Sequence, residues 1–356
     1  ETRGIYKEMT RLLTERLEHP DKLLVVCTHF GLAHKLAAIK EEFRQREGVR
    51  MVLAVCVTDD TFQHIWYVDG ADLLVVPSEF TRRKYLTYGQ ALGGHMPRIE
   101  VVPYPVHPLL GQKLDATELA AKTRQLEAGS MEPIHVSIPI SGAAVGTEYS
   151  TGLITRLHEL SDRFRFHIVC KNAPFTQDFL SQWVGKSWVD VRDGRQDREV
   201  VNQYDDLMLT QVISLEVTKP SEQTFKCLVP TGSRGGVILL FTHPVGTQEY
   251  ENMDFLRRHS LVPSPETNDQ LWALSRGTDS MDATLQARIL GDARGWRGVR
   301  IPPDAHEAAD FIGWMHASGL FATMLQGNLN RIVQDEESRV LGPDGVAQFW
   351  DLAVSV

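Results

Sequence analysis

Short apolar runs alternate along the chain with stretches of helical periodicity. The runs are continuous rather than alternating in polarity, which is typical of strands covered on both faces of a parallel sheet. An α/β fold with two Rossmann-like, doubly wound domains is therefore predicted. The first series of runs comprises residues 23–27, 51–57, 72–77 and 99–103, and the second comprises residues 134–140, 166–170, 188–191, 212–217, 236–241 and 298–302.

The two series are separated by a proline-containing segment that ends in Gly-Ser, which is typical of an interdomain linker. The chain begins with Glu1 rather than Met, so we expect the natural amino terminus to lie upstream. The predicted organisation is an amino-terminal domain (1–108, truncated upstream), a linker (109–133), a carboxy-terminal domain (134–330) that contains an insertion (263–297), and a tail (331–356) that packs back on the amino-terminal domain.

Composition excludes several classes of protein. Of the 356 residues, 42% are hydrophobic and 23% are charged, as in ordinary globular proteins. The formal charge of -9 disfavours nucleic-acid binding, which needs a clustered excess of Lys and Arg. No apolar run approaches the roughly 18 residues of a membrane helix. The cysteines lack metal-ligand spacing and are expected to be buried in a reducing compartment, so a cytoplasmic location is predicted.

Glycines follow the first strand of the second series, and ligands bind at the carboxyl ends of parallel strands. Ser141, Gly142 and Gly146 precede a stretch with the apolar spacing of a helix. Glycine lets backbone N–H groups approach an anion, and a helix amino terminus favours negative charge. The stretch predicts a phosphate-binding loop, although a tight turn without a ligand gives the same pattern.

A second polar loop, Thr218 to Ser221, follows the predicted strand 212–217. Ser221 is positioned to cap a helix, and Lys219 can reach a phosphate as a point charge. Glu222 would repel a phosphate at that helix start, so it is expected to face a hydroxyl-bearing group or to pair with Lys219. An ordinary cap beside a surface ion pair is the alternative.

The third loop, residues 241–256, carries carboxylate and amide side chains after another buried strand. Gln248, Glu249 and Asn252 are of the types that accept and donate the hydrogen bonds of sugar hydroxyls. Three polar loops at the same end of one sheet favour a single ligand site.

The order of several motifs resembles that of GT-B glycosyltransferases, among them the monogalactosyldiacylglycerol synthases and the transferase that adds N-acetylglucosamine to lipid I. The motifs are "VDGADLLVVPSE" and "RIEVVPYPV" in the first half, and "SGAAVG", "VCKNAP", "TKPSEQTF" and "GGVILLFTHPVGTQEYEN" in the second. The resemblance implies two domains facing a cleft, of which the second binds a nucleotide sugar and the first an acceptor. It also implies metal-independent, inverting transfer of a hexose, with a UDP-sugar as co-substrate and no other cofactor.

The resemblance also assigns roles to individual positions. It places Ser141, Gly142 and Gly146 at the phosphates, Lys219, Ser221 and Thr224 below the nucleotide, Gln248, Glu249 and Asn252 near the donor sugar, and Asp59 and His64 on the acceptor side.

Two departures from the family pattern concern the ribose and the catalytic base. Cys227 stands where these relatives place a ribose-binding glutamate, and Glu222, one turn earlier, is the candidate substitute. No Gly-Gly-His loop precedes Lys22. The candidates for the base are therefore Asp59, His64 and a histidine upstream of Glu1.

Other functions stay open at this point. A non-hydrolysing sugar-nucleotide epimerase shares the fold, and a GT-B protein without catalytic activity would tolerate the Cys227 departure. The acceptor and the oligomeric state are not predicted. A lipid-linked acceptor and a peripheral location at the inner membrane face remain alternatives, because the named relatives use such acceptors; Arg82, Arg83 and Lys84 form only a small basic patch.

Overall fold

In a computed structural model, the chain forms two compact units. The first comprises Glu1–Pro105 and Gln334–Val356, and the second comprises Val106–Val333. The structure describes residues 2–16, 20–140, 142–241, 246–327 and 340–356.

The first unit contains a four-stranded parallel sheet with strand order β1-β2-β3-β4. Each strand coincides with a run predicted from the sequence, because both faces of the sheet are covered. Its elements are β1 (Lys22–Cys27), β2 (Arg50–Cys56), β3 (Leu73–Val76), β4 (Arg98–Val101), α1 (Thr2–Arg16), α2 (Phe30–Glu47), α3 (Glu79–Leu92), the 3-10 helix His64–Trp66, and the carboxy-terminal helix α13 (Gly345–Ser355).

Helices cover both faces of this first sheet. On one face, Phe43 of α2 and Tyr85 of α3 are fully buried in the core with Leu53 and Leu74. On the other face, Phe349 and Ala353 of α13 pack against Ala54 and Val75 of the sheet. The predicted tail therefore contributes a helix to the core of the first unit.

The second unit contains a six-stranded parallel sheet with strand order β10-β9-β8-β5-β6-β7. Its strands are β5 (Ile134–Pro139), β6 (Phe164–Lys171), β7 (Val189–Gly194), β8 (Leu215–Thr218), β9 (Val237–Phe241) and β10 (Gly298–Ile301). Its helices are α4 (Ala116–Leu126), α5 (Thr147–Leu160), α6 (Gln177–Ser181), α7 (Asp197–Thr210), α8 (Thr247–Arg258), α9 (Pro265–Ser275), α10 (Ala283–Ala293), α11 (Ala305–Ala317) and α12 (Leu320–Gly327), with 3-10 helices at Pro108–Gly111, Pro174–Thr176 and Glu222–Leu228.

The core of the second unit includes the segment predicted as an insertion. Leu153 of α5 and Phe311 of α11 are fully buried against the sheet. Residues 263–297 form α9 and α10, and their Leu271 and Ile289 belong to the same apolar core. The segment is therefore an integral part of the unit, and its polar residues are the outer faces of two helices.

The predicted linker, residues 109–133, is also packed into the second unit. Asp115 caps α4 and forms a reciprocal capping box with Glu118. Lys122 of this helix is completely buried, and its Nζ donates to the carbonyl oxygens of Ser233 (2.9 Å) and Gly235 (2.6 Å). The prolines mark the entry to a packed helix rather than a separate connecting segment.

Candidate functional site

The strand order of the second sheet creates a topological switch point. The chain proceeds from β5 through β6 to β7 on one side, and from β8 through β9 to β10 on the other. β5 and β8 are direct neighbours in parallel register, with Val136 opposite Leu215. In open parallel sheets the crevice at the carboxyl ends of such strands binds ligands. The first two predicted loops follow β5 and β8, and the third follows β9 beside them.

The loop after β5 has the backbone of an anion site. Ser141 lies outside the described residues, but Gly142 is exposed and has open space where a Cβ would stand. Gly146 has φ 84°, and a Cβ there would lie 3.0 Å from the Phe241 ring, so only glycine fits. α5 begins directly afterwards without a side-chain cap, so the N–H groups of its first turn face the loop.

The loop after β8 differs in two respects from the sequence prediction. Ser221 precedes a 3-10 helix and makes no side-chain cap to it. Lys219 does not pair with Glu222, which is exposed and without a hydrogen bond or ion pair among the described residues. The Nζ of Lys219 lies instead 3.7 Å from Oε1 of Glu249 on α8. Thr224 is buried, and its hydroxyl donates to the Lys219 carbonyl oxygen at 3.5 Å.

This Lys219–Glu249 pair leaves hydrogen-bonding capacity unused. At 3.7 Å it is an electrostatic contact and not a hydrogen bond, so the ammonium donors of Lys219 are not consumed by Glu249. The other carboxylate oxygen of Glu249, Oε2, is buried and has no hydrogen-bond partner among the described residues. A buried carboxylate oxygen without a partner is costly, and such atoms are commonly satisfied by a ligand or water.

The third loop contacts the other two. Residues 242–245 lie outside the described residues, but Gln248, Glu249 and Asn252 lie on α8. Asn252 is fully buried, and its Nδ2 donates to the carbonyl oxygen of Pro220 at 3.3 Å. The ring of Phe241, the last residue of β9, lies beside Gly146 of the first loop. The structure therefore brings the three predicted loops together at one edge of one sheet.

A buried ion pair behind the second loop was not found from the sequence. Glu216 of β8 is 1% exposed, and its Oε1 lies 2.8 Å from Nζ of Lys226. Tyr204 donates its hydroxyl to Oε2 of the same carboxylate at 2.7 Å, and the Lys226 ammonium lies 4.2 Å from the Tyr204 ring centroid. Burial and the nearby carboxylate raise the pKa of Tyr204. The only sequence signal was a glutamate within a buried strand.

Cys227 faces the protein core. It is 0% exposed, and its Sγ lies 3.0 Å from where a Cβ on Gly298 of β10 would stand. Burial raises the pKa of its thiol. Cys227 therefore packs against β10 and does not face the loop. On the same 3-10 helix, Glu222 is the exposed carboxylate.

In the first unit, Asp59 and His64 both lie in the segment that follows β2. The exposed His64 stacks on Tyr88 with ring centroids 3.8 Å apart. His29, at the carboxyl end of the adjacent β1, is a candidate that sequence reasoning missed. Its Nδ1 accepts from the Gly31 backbone N–H at 3.1 Å, which leaves Nε2 as the protonated nitrogen of the neutral ring. A histidine two residues after the first predicted strand was the available signal.

Two searches for other kinds of site were negative within the described ranges. No three His, Cys, Asp or Glu side chains converge to suit a metal ion. Within the same ranges, no helix has the length and apolarity that crossing a bilayer requires.

Comparison with known proteins gives similarity at the level of three-dimensional structure. No family model matches the chain, and no curated protein sequence matches it. A structure assigned as UDP-N-acetylglucosamine 2-epimerase from Listeria monocytogenes matches with 9% identity, covering 99% of this chain and 78% of the other, at a TM-score of 0.50. The chain has the GT-B fold. This similarity, together with the two parallel sheets, establishes the fold alone.

Two further solved structures are similar at lower TM-scores. MurG of Acinetobacter baumannii is 9% identical, with 100% of this chain and 77% of the other covered at a TM-score of 0.45. Anabaena Alr3699/HepE, solved in complex with UDP and glucose, is 10% identical, with 98% and 81% covered at a TM-score of 0.44.

Proposed function

We propose that the protein is a glycosyltransferase that moves a hexose from a nucleotide sugar, with UDP as the expected nucleotide, to an acceptor hydroxyl. The observation that carries this proposal is the convergence of three polar loops at the switch point of the second sheet. They offer a glycine turn, a lysine with unused donors and a buried carboxylate with an unpaired oxygen.

The diphosphate would bind across the ends of β5 and β8. The turn 142–146 and the first turn of α5 offer backbone N–H groups, and the helix dipole favours the negative charge. Lys219 would add a full positive charge from the opposite side. Its side chain is 11% exposed, so the attraction acts where water screens it little. Ser141, Ser221 and Thr224 remain assigned to this subsite on the resemblance.

The donor sugar would lie beside α8. Glu249 can accept from a sugar hydroxyl through Oε2, which would then satisfy its buried oxygen. Gln248 and Asn252 are placed on the same helix start, and Asn252 fixes α8 to the second loop. Glu222 is proposed at the ribose, since it is exposed at the start of the 3-10 helix while Cys227 is buried.

Transfer would proceed by direct displacement at the anomeric carbon, with inversion. The leaving diphosphate would be stabilised by Lys219 and the α5 amino terminus, so we propose no metal ion and no cofactor beyond the nucleotide sugar. The acceptor must lose a proton as the new bond forms. Asp59, His64 and His29 are the candidate bases in the first unit.

The first experiment is calorimetric titration with UDP, GDP, ADP and CDP, followed by a transfer assay with UDP-hexoses and a panel of alcohol acceptors. Binding of UDP and formation of a glycoside only when acceptor is present are expected. The absence of binding by every nucleotide would contradict the proposal and favour a GT-B protein without catalytic activity.

An epimerase is the second candidate, and one observation favours it. The unpaired Oε2 of Glu249 is a buried carboxylate oxygen, a group that proton transfer at a sugar carbon could also use. Isomerised nucleotide sugar in a reaction without acceptor would establish this function and exclude transfer. Glu249→Gln separates the two roles of the carboxylate. It is expected to weaken binding of the UDP-sugar relative to that of UDP, because UDP alone lacks the sugar hydroxyls, and the loss of negative charge beside Lys219 should act on both ligands alike.

A further inference from the structure

A cavity lies between β7, at the edge of the second sheet, and α6. Its volume is about 530 Å³, within the range of small-molecule sites. One end is apolar, and the other is polar. The lining includes Leu180, Val184 and Val191 at the apolar end and Asn172, Gln177 and Asp193 at the polar end.

The strand order relates this cavity to the proposed donor site. The diphosphate is placed at the switch point between β5 and β8, and the proposed sugar-binding side chains follow β9 on one side of it. A nucleotide sugar is linear, with the sugar and the nucleoside at opposite ends of the diphosphate. The nucleoside must therefore extend over β5 towards β6 and β7. The midpoint of β6 and β7 lies two strand spacings from the switch point, roughly 10 Å away.

The polar end of the cavity is fixed in position by hydrogen bonds. Asn172 directly follows β6, and its backbone N–H donates to the carbonyl oxygen of Gly194 at 2.8 Å. Its side-chain Nδ2 donates to Oδ2 of Asp193 at 2.7 Å. The Thr176 hydroxyl closes the same loop by donating to the Lys171 carbonyl oxygen at 2.6 Å. The Asp193 carboxylate is exposed and keeps Oδ1 without a hydrogen bond among the described residues.

The hydrogen-bonding pattern of this end suits one class of base. A carboxylate only accepts hydrogen bonds, and the amides of Asn172 and Gln177 supply donors. The edge of uracil presents an N–H donor between two carbonyl acceptors, which complements a donor–acceptor–donor arrangement. Cytosine presents an unprotonated ring nitrogen at the central position, so its lone pair would face the carboxylate.

We propose that this cavity is the nucleobase site and that Asp193 selects uracil over cytosine. The proposal rests on the nucleotide-sugar function proposed above. A site that bonds an N–H group discriminates against an analogue that lacks it, because the bound base would cover the Asp193 oxygen and leave it facing a lone pair of cytosine. UDP is therefore expected to bind at least about ten-fold more tightly than CDP.

The test is calorimetric titration of the intact chain with UDP and CDP. In Asp193→Asn, the amide can donate to the ring nitrogen of cytosine, so the ratio of CDP to UDP dissociation constants should fall about ten-fold or more. Gln177→Glu replaces a donor with an acceptor and should weaken UDP binding. Both positions are exposed, so the variants should fold. Asp178→Asn, on the same helix but outside the cavity lining, is the matched control and should change neither affinity.

The outcomes separate the two proposals. A UDP-to-CDP preference that is unchanged in Asp193→Asn, with UDP affinity retained, overturns the base site and leaves the nucleotide-sugar function standing. Failure of the unaltered protein to bind any nucleotide overturns both. A ratio that falls in Asp193→Asn and not in Asp178→Asn supports the assignment.

Discussion

The carboxyl edges of the two sheets use their polar side chains differently. In the first unit, buried Asp60 accepts from the hydroxyls of Ser78 (2.5 Å) and Thr81 (2.7 Å), so its charge ties the end of β2 to the start of α3. In the second unit, Thr218 Oγ1 and Glu249 Oε2 are buried and have no hydrogen-bond partner in the part of the chain that the structure describes. Among the described residues, all buried side-chain nitrogen and oxygen atoms that lack a hydrogen-bond partner belong to the second unit.

This difference shows where ligand binding is expected. A buried polar atom without a partner costs roughly 1–3 kcal/mol, and such atoms are retained mainly where a ligand or water completes them. The first edge is stabilised by its own side chains, whereas at the second edge Thr218 Oγ1 and Glu249 Oε2 have no partner among the described residues and would be completed by the ligand that we propose. This contrast supports placing the proposed nucleotide-sugar site in the second unit.

The largest effect is expected from the buried ion pair of the second unit. Lys226→Ala leaves the 1%-exposed Glu216 unpaired and should cost about 3–5 kcal/mol of folding free energy. Lys40→Ala in the first unit is the matched comparison, since its partner Asp72 is 22% exposed and water can replace the ammonium. Thermal unfolding of both variants measures the difference, and equal losses would contradict the contrast between the units.

Lys219→Ala should weaken nucleotide binding, and it should also lower the folding free energy because it removes the cation beside the buried Glu249. Within the described part of the chain the ammonium of Lys219 makes only the 3.7 Å contact to Glu249, but a charge-assisted hydrogen bond to phosphate is worth about 1.5–3 kcal/mol. UDP affinity measured by calorimetry should fall roughly 10- to 100-fold. Lys113→Ala, an exposed lysine of the same unit, is the control. Unchanged UDP affinity in Lys219→Ala would remove the lysine from the phosphate site.

Asp60→Ala should show the opposite behaviour in the first unit. Removing the carboxylate leaves the buried hydroxyls of Ser78 and Thr81 without their acceptor, at a cost of about 1–3 kcal/mol. Nucleotide affinity should not change, because the phosphate-binding loops lie in the other unit. Parallel measurement of the melting temperature and of UDP binding checks both expectations, and loss of UDP binding in a folded variant would contradict the division of roles.

The sequence predicted the elements that depend on local pattern. The ten strands that the apolar runs predict all lie within the described residues and are present, because parallel strands covered on both faces are continuous apolar runs. The glycine at 146 is required by its backbone conformation and by the nearby Phe241 ring. The spacing of Asp304 and Glu307 in the sequence is typical of a capping box, and Asp304 does cap α11. Glu307 pairs instead with Arg276, whose position follows from the packing of α9 against α11.

The remainder of the site depends on pairings between distant parts of the chain. The partner of Lys219 is Glu249, 30 positions away, rather than the nearby Glu222. Lys226 faces back towards Glu216 because its helix is 3-10 and its apolar residues are buried. Periodicity identifies which face of an element is buried, but it does not identify which element packs against that face.

The last prediction concerns the folding stability of the second unit at low pH. His135 of β5 and His167 of β6 contact each other at 2.8 Å, and His167 also contacts Asp190 at 3.2 Å. Burial, together with the neighbouring His167 and Arg165, lowers the pKa of His135 to about 4. Burial also lowers the pKa of His167. Between the ordinary histidine pKa of about 6.5 and these values the unfolded chain binds more protons, so stability should fall as the pH decreases.

This loss should be confined to the second unit, which contains both histidines. Hydrogen exchange measured from pH 7 towards pH 4 should show protection decreasing first in β5 and β6, while the buried strands β2 and β3 of the first unit stay protected. His135→Gln removes one titrating group and should flatten the dependence of melting temperature on pH. Equal loss of protection in both sheets, with the same pH dependence in His135→Gln, would show that another group sets the acid sensitivity of the chain.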